Sequence, residues 1–327
     1  MNANDILKNP YPLAPMDGIT HSLFRRFMRA LGCGFVVSEF VAANEITHQS
    51  RRTLRKISFT ESERPFGIQI YGNRTYDLVE AARFCEGMGV DFVDINFGCP
   101  VKGIVRKGKG SAWLREPDEM KKLLESVRQA IHIPLSIKLR TGFDQVNLGE
   151  TLQIAEDTGV EWVTVHGRTS SQGYLGQVNW SLLNNIKTRL PLIANGDIHE
   201  SHPAIEKLKG GHFAGLMIGR RSLLEPRVFL RLQGLPEPPL SDCLRSLANL
   251  IDETPLDSKG KAFQLARLVV HWTHGYENTR PFRIKLFEMS RGGQWPEIVK
   301  LVLDFIQENM ENKTRASVEN FMMAGSG

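Results

Sequence analysis

No stretch of this chain stays apolar for long enough to cross a bilayer, and the N-terminal MNANDILKNPYPLAP lacks the basic segment and apolar core of a secretion signal. Membrane insertion and export are therefore not expected; a soluble, cytoplasmic protein is. Cysteine is scarce. Cys33, Cys85, Cys99 and Cys243 form no CxxC pair, which in a chain of 327 residues argues against a disulfide scaffold or a cysteine-built zinc site and for reduced thiols. The nine histidines include no HExxH, so metal catalysis is unsupported. No pattern speaks to oligomeric state; a monomer is favoured.

Hydrophobic residues at 41% and charged residues at 24% fit a globular chain that buries a large core. A net charge of +5 favours polyanionic partners without requiring one. Its distribution is more telling. Lys102, Arg106, Lys107 and Lys109 lie together without an acid, and Lys259, Lys261, Arg267, Arg280, Arg283, Lys285 and Arg291 recur near the C-terminus.

Eight apolar runs, PLAPM, FVVSEF, FGIQI, FVDIN, PLSIKL, WVTVHG, PLIANG and GLMIGR, are each followed by a segment long enough for a helix. Such repetition predicts a TIM (β/α)8 barrel, because near-continuous apolar strands suit a parallel sheet covered on both faces. Residues 115–131 carry acids in the first turn and apolar residues at helical spacing, as a helix docked on a sheet would. GLPEPPLSD at 234–242 breaks the pattern. The expected organisation is a barrel over 1–235, a small all-helical domain over 236–320 with apolar spacing through 243–253, 261–276 and 295–309, and a tail at 321–327.

Barrel enzymes build their sites at the C-terminal ends of the strands. Here those ends carry Pro15-Met16-Asp17, Gln69, Asn96 through Cys99, Lys138, His166 with Arg168, Asn195-Gly196-Asp197 and Gly219-Arg220. The glycines at strands seven and eight, with Arg220, suit a phosphate held on backbone N–H groups. Lys138 sits in an otherwise apolar run and needs an anion or a reaction: a Schiff base in an aldolase, a cation stabilising charge on a reduced flavin, or an ion pair with a carboxylate. Gln69 and Asn195 suit a flavin's imide edge better than an aldolase pocket. A lone cysteine is usually packing, and Cys33 and Cys85 fit that role. Cys99, between Gly98 and Pro100 where the chain must turn, is instead placed to deliver a proton, since an ordinary thiol is mostly protonated at neutral pH.

As a set, PMDGIT, SEF, Gln69, NFGCP, GKGSA, SIKLRTGF, VHGRTSSQGY, ANGDI and MIGR resemble the dihydrouridine synthase family in order and spacing, from Pro12 to about Phe305. The resemblance implies an FMN barrel with a C-terminal helical domain that binds RNA, NADPH as reductant and uridine in tRNA as substrate. It further implies that Cys99 protonates carbon 5 of the uracil while reduced FMN gives hydride to carbon 6. Pro15, Met16 and Asp17 would border the flavin, Gln69 and Lys138 would meet its polar edge, and His166 would lie between ring and substrate. Asn195, Gly196, Asp197, Gly219 and Arg220 would complete the ribityl and phosphate site. Asn96, Lys102, Arg168, Arg280, Arg283 and Lys285 would contact substrate or RNA.

This chain departs from many relatives in having Gly103 where a lysine follows the cysteine by four residues, and Arg221-Ser222-Leu223-Leu224-Glu225 after the GR pair. Trp272, Tyr276, Phe282 and Phe287 lie among the C-terminal basic residues, where aromatics at helical spacing serve a core more often than a nucleic acid. Competing readings are a small-molecule flavin oxidoreductase of the dihydroorotate or dihydropyrimidine dehydrogenase kind, a synthase acting on ribosomal RNA, an aldolase using Lys138, and a non-catalytic RNA-binding protein on the same fold.

Overall fold

Parallel strands too apolar to face water on either side have to be covered on both, and closing the sheet on itself does so. In the computed structural model, which describes residues 1–276 and 279–310, the apolar runs form such a barrel. Its strands are β1 (Val36–Val37), β2 (Val41–Ala42), β3 (Phe66–Tyr71), β4 (Phe92–Phe97), β5 (Leu135–Arg140), β6 (Trp162–His166), β7 (Leu192–Asn195) and β8 (Gly215–Met217). They pair in parallel in the order β1-β3-β4-β5-β6-β7-β8, with β2 also paired to β3, so β1 and β2 are two pieces of one stave. The remaining stave is residues 10–14. Leu13 bridges Ile218 in parallel, the Ala14 N–H donates to Ile218 O at 2.8 Å, and the Leu13 N–H donates to Phe35 O at 3.1 Å, which closes the ring.

The two faces of each strand differ. Ile68, Ile70, Val93, Ile95, Ile137, Leu139, Val163 and Val165 alternate with the inward residues and are wholly buried beneath the surrounding layer. Helix Thr75–Gly87 packs on β3 and β4, and helix Pro117–Ala130, with acids in its first turn and Met120, Leu123, Leu124 and Val127 buried, lies beside it. Inside, the N-terminal end of the barrel is filled by Phe35, Phe92, Trp162, Ile193 and Met217, against which Ala3 and Leu7 of helix Ala3–Leu7 pack. The Phe35–Phe92 and Phe92–Trp162 ring centroids are 5.3 and 5.0 Å apart at steep angles. Toward the C-terminal end the filling turns polar, with Asp94, Ser136 and Thr164, then Gln69, Asn96 and Asn195, all buried. This barrel therefore has an apolar base and a polar mouth.

Ala30–Gly32 and the described residues from Arg220 onward form a second compact unit. The break falls between Gly219 and Arg220, ahead of the Pro-rich stretch that marks the sequence boundary at 235, because helix Arg221–Leu224 packs against helix Ser258–Trp272 and so belongs to the helical unit. Its principal helices are Leu240–Asp252, Ser258–Trp272, Thr279–Gly292 and Trp295–Asn309. Thr279–Gly292 is the one the apolar spacing did not reveal: only Phe282, Leu286 and Ser290 are buried, at every fourth residue among basic neighbours. Trp272 and Phe282 are core residues, the latter stacked on Phe305 with centroids 3.9 Å apart, so they do not grip RNA. Residues 321–327 lie outside the described residues, among which no helix is long and apolar enough to cross a membrane.

The base of the barrel leaves no room at Gly67, where an added Cβ would stand 2.3 Å from Cε2 of Phe92. Gly67→Ala is expected to destabilise the fold by about 1–3 kcal/mol through overpacking, and adding Phe92→Leu is expected to restore part of that loss. Equilibrium urea unfolding of the two variants checks both expectations.

Candidate functional site

The polar mouth is organised by one buried carboxylate. Asp94 on β4 accepts from Gln69 Nε2 at 2.6 Å and from Ser136 Oγ at 2.6 Å. Gln69 Oε1 in turn accepts from Asn96 Nδ2 at 2.8 Å, and Asn96 Oδ1 accepts the backbone N–H groups of Gly98 and Cys99 at 3.0 and 2.9 Å. Every bond in this chain donates toward Asp94. It fixes which way both amides face and so sets the turn that presents Cys99. Burial pushes the Asp94 carboxyl up to about 6, against the opposing pull of Gln69, Ser136 and the Lys138 charge.

Cys99 is held from its other side by the loop that follows. Ser111 donates to Cys99 O through Oγ at 2.8 Å and through its N–H at 3.2 Å, and its Oγ lies 2.5 Å from that of Ser170. Gly110 makes this possible: with φ at 61° it takes a left-handed conformation, and a Cβ there would press on Cys99 O at 3.0 Å. Arg140 braces the same turn, donating through Nε to Gly98 O at 2.8 Å and through Nη1 to Thr169 O and Gly173 O at 2.8 and 2.6 Å. The thiol is buried, and burial pushes it up from its ordinary value. The Val101 N–H and the Arg140 and Lys138 charges pull the other way, while Asp17 adds to the rise. Burial thus favours the neutral thiol, while the Val101 N–H and two cations stand where they would stabilise its thiolate.

Lys138, on β5 beside Asn96, donates to Asn195 Oδ1 at 3.1 Å, and Asn195 Nδ2 donates to Met217 O at 2.8 Å. Lys138 makes no ion pair with a carboxylate among the described residues. Burial pushes it down to about 8, with the Arg140 charge adding to the fall and Asp94 opposing it. His166 ends β6 opposite Asn195 and lies next to Gly196, where a Cβ would stand 3.6 Å from His166 Nε2. Gly196 has φ at 130° and Asp197 at 51°, so the chain turns sharply after β7. On the loop after the first stave, Met16 is held by Thr20 at 3.0 Å, Asp17 pairs with Lys56 at 2.7 Å, and the Gly18 N–H donates to Glu39. Gly219 closes the barrel unit near Ala14 and Met16, and Arg220 opens the helical unit as the residue before helix Arg221–Leu224.

Gln69, Asn96, Cys99, Lys138, His166 and Asn195 therefore gather at one end of the barrel, as the strand-end reasoning expects. Two of the expected substrate contacts are placed differently. Arg168 is 1% exposed and pairs with Asp197 while donating to Gly176 O at 2.8 Å through Nη2, so it braces the loops after β6 and β7 and offers RNA no surface. Asn96 is committed to the Cys99 turn. Lys102 is exposed on the short helix Lys102–Val105. In the helical unit Arg280 and Lys285 are exposed, whereas Arg283 donates to Thr273 Oγ1 at 2.8 Å. Asp94, Ser136, Arg140 and Ser111 were missed. Asp94 was detectable as an acid inside the apolar run FVDIN, two residues from Asn96 and hence on the same face of the strand.

The sequence model described as Dihydrouridine synthase (Dus) matches residues 12–283. The chain belongs to the dihydrouridine synthase family. Among its relatives are a probable tRNA-dihydrouridine synthase of Rickettsia conorii, 33% identical over 83% of this chain and 86% of that one, and a tRNA-dihydrouridine synthase B of Serratia marcescens, 36% identical over 81% and 83%. Among solved structures, histamine dehydrogenase from Rhizobium sp. 4-9 superposes with a TM-score of 0.51 at 12% identity, over 74% of this chain and 49% of that one, a likeness of fold. Among the described residues no three His, Cys, Asp or Glu side chains come together as metal ligands.

Because the folded Asp94 holds its proton more tightly than an ordinary carboxyl does, its contribution to stability is greatest below about pH 4 and is lost as pH rises through about 6. Asp94→Asn removes that dependence. The stability of the variant minus that of wild type should become more favourable between pH 4 and 7, by on the order of 2 kcal/mol, in urea titrations of both proteins.

Proposed function

We propose that this chain is a tRNA-dihydrouridine synthase that reduces the 5,6 double bond of uridine in tRNA, with FMN as its cofactor and NADPH as reductant, in the cytoplasm. The observation that carries this reading is Cys99, a buried thiol fixed at the mouth of the barrel beside an ordered set of amides and a lysine. The names of its relatives point to the same substrate.

The mouth suits FMN on two counts. The Lys138 ammonium has a neutral amide oxygen as its hydrogen-bond partner, and a poorly solvated cation so placed gains from an anionic ring edge. Backbone is also approachable at Gly219, where a Cβ would meet no atom outside its chain neighbours nearer than Ala14 Cβ at 3.6 Å. Lys138 and Asn195 would hold the pyrimidine edge, with Gln69 using whatever donor and acceptor capacity its bonds to Asp94 and Asn96 leave. Pro15, Met16 and Asp17 would border the ring. Gly196, Asp197 and Gly219 would serve the ribityl and phosphate groups, with Arg220 assigned to the phosphate by its motif. When bound and reduced, FMN supplies the hydride for carbon 6 of the uracil.

The chain's own residues account for the proton. Cys99 Sγ gives its proton to carbon 5, and the thiolate left behind is stabilised by the Val101 N–H and by the charges of Arg140 and Lys138. His166 lies at the mouth, beside the path of the base. A uracil in folded RNA is stacked and must be extruded to reach this depth, so binding has to offset unstacking. Lys102, exposed beside the catalytic turn, supplies charge for the phosphates, and Arg280 and Lys285, exposed on the helical unit, are the RNA contacts that the family resemblance implies.

Cys99→Ala should retain flavin absorbance and NADPH oxidation while losing about 10²- to 10⁴-fold in dihydrouridine formation, scored by mass spectrometry of digested tRNA. Loss of flavin from that variant would contradict the role. Lys138 should also give FMN affinity a falling limb near pH 8, because in the flavin-free protein its charge, present below that pH, is lost above it. Lys138→Met should bind FMN weakly throughout and lack the limb in a fluorescence titration over a pH series.

A further inference from the structure

Two basic segments far apart in sequence are linked, on the barrel unit that holds Cys99, through helix Ala43–Thr47. One is the turn after the catalytic cysteine, with Lys102, Arg106 and Lys107 exposed. The other is helix Arg51–Ile57, sequence RRTLRKI, with Arg51, Arg52 and Arg55 exposed. Helix Ala43–Thr47 is the link between them. Lys109 stands 5.6 Å from the Tyr71 ring and 3.5 Å from Oδ1 of Asn44 in helix Ala43–Thr47. Thr53 Oγ1 donates to Glu45 Oε2 of that helix at 3.0 Å, and Lys56 pairs with Asp17, a carboxylate close enough to raise the Cys99 thiol. Arg25 fastens the far end, reaching Thr20 O and Ser58 O at 2.7 Å each while paired to Glu63 at 2.6 Å.

The charges on these segments are unbalanced. Arg51, Arg52, Arg55, Lys102, Arg106 and Lys107 make no ion pair among the described residues, and the nearby acids Glu45 and Asp17 are engaged by Thr53 and Lys56. Elsewhere on the same unit the opposite holds. On helices Thr75–Gly87 and Pro117–Ala130, Arg83 pairs with Glu80, Lys121 with Asp157, Lys122 with Glu119 and Arg128 with Glu161. Helix Arg51–Ile57 also works against its own stability. Arg51 and Arg52 crowd its N-terminal end, where the dipole disfavours cations, and the 51/55 and 52/56 pairs set like charges one turn apart. An external polyanion lying along the helix relieves both costs.

We propose that helix Arg51–Ile57 is a docking surface for the RNA phosphate backbone, forming with Lys102, Arg106 and Lys107 a continuous cationic track beside Cys99. This rests on the reading of the chain as an RNA-modifying enzyme. The nucleotides flanking a base that enters the barrel have to cross its rim, and this track gives their phosphates a path. Because the contact is to backbone, it adds affinity and orientation without reading sequence.

The test is the salt dependence of binding to unmodified tRNA transcript for wild type and for Arg51→Gln/Arg52→Gln/Arg55→Gln, between about 50 and 200 mM salt. Each lost phosphate contact lowers the slope of log K against log salt by roughly 0.7–0.9, so the triple variant should lose about 2 units of slope and about tenfold or more in affinity at low salt. Its melting temperature should be no lower than that of wild type, since like charges on the helix are removed, and Arg55→Gln alone should lose about 1 unit of slope. Arg83→Gln/Lys121→Gln/Lys122→Gln removes the same charge elsewhere and should leave the slope unchanged. Wild-type slope in the Arg51/52/55 variant, or equal loss in both triple variants, overturns the proposal. So does loss of binding to phosphatidylserine vesicles with tRNA binding intact, which would mark a membrane surface. Absence of salt-dependent tRNA binding in wild type would overturn the functional reading as well, which separates the two failures.

Discussion

A carboxylate buried in the middle of a barrel has to be surrounded by donors, and in this chain that requirement organises everything above it. Asp94 draws in Gln69 and Ser136, Gln69 draws in Asn96, and Asn96 captures the two backbone N–H groups that begin the Cys99 turn. Below Asp94 the barrel is a plug of Phe35, Phe92 and Trp162, buried and packed on one another. That plug raises the cost of leaving any of these polar groups unpaired. Rigidity at the mouth is therefore a consequence of burial beneath it.

The same burial sets the chemistry. A thiol, a carboxyl and an ammonium in one poorly solvated pocket are each driven toward the neutral form, which for Cys99 means holding its proton. Arg140 remains a cation even pushed down to about 10, because burial costs it less than the range it has to spare. Its bonds to Gly98, Thr169 and Gly173 join the Cys99 turn to the loop after β6. One side chain thus braces the turn and supplies charge beside the thiol.

Much of the barrel was legible because its signal is redundant. Eight apolar runs each followed by a helix permit few topologies, and the strand-end rule then picks out Gln69, Cys99, Lys138 and Asn195 without reference to contacts. The supporting groups were illegible for a physical reason. Ser136 and Ser111 are ordinary small polar residues until the fold brings them to Asp94 and Cys99, and pairing across strands is not written in local spacing. Arg168 stands at a strand end by its motif, and its pairing back to Asp197 across two loops is likewise not written in local spacing. The break between the units falls earlier than the Pro-rich stretch because the short helix after β8 continues the βα rhythm although it packs with the helices that follow.

The proposed function requires that an RNA uridine take the electrons. The direct measurement is flavin absorbance after the protein is reduced without oxygen and mixed with tRNA lacking modifications. Reoxidation at a rate that depends on tRNA, with dihydrouridine in the product, is the predicted result. Flavin that stays reduced in the presence of every uridine-bearing tRNA offered, or a purified chain that holds no flavin and takes up none when FMN is added, would contradict it.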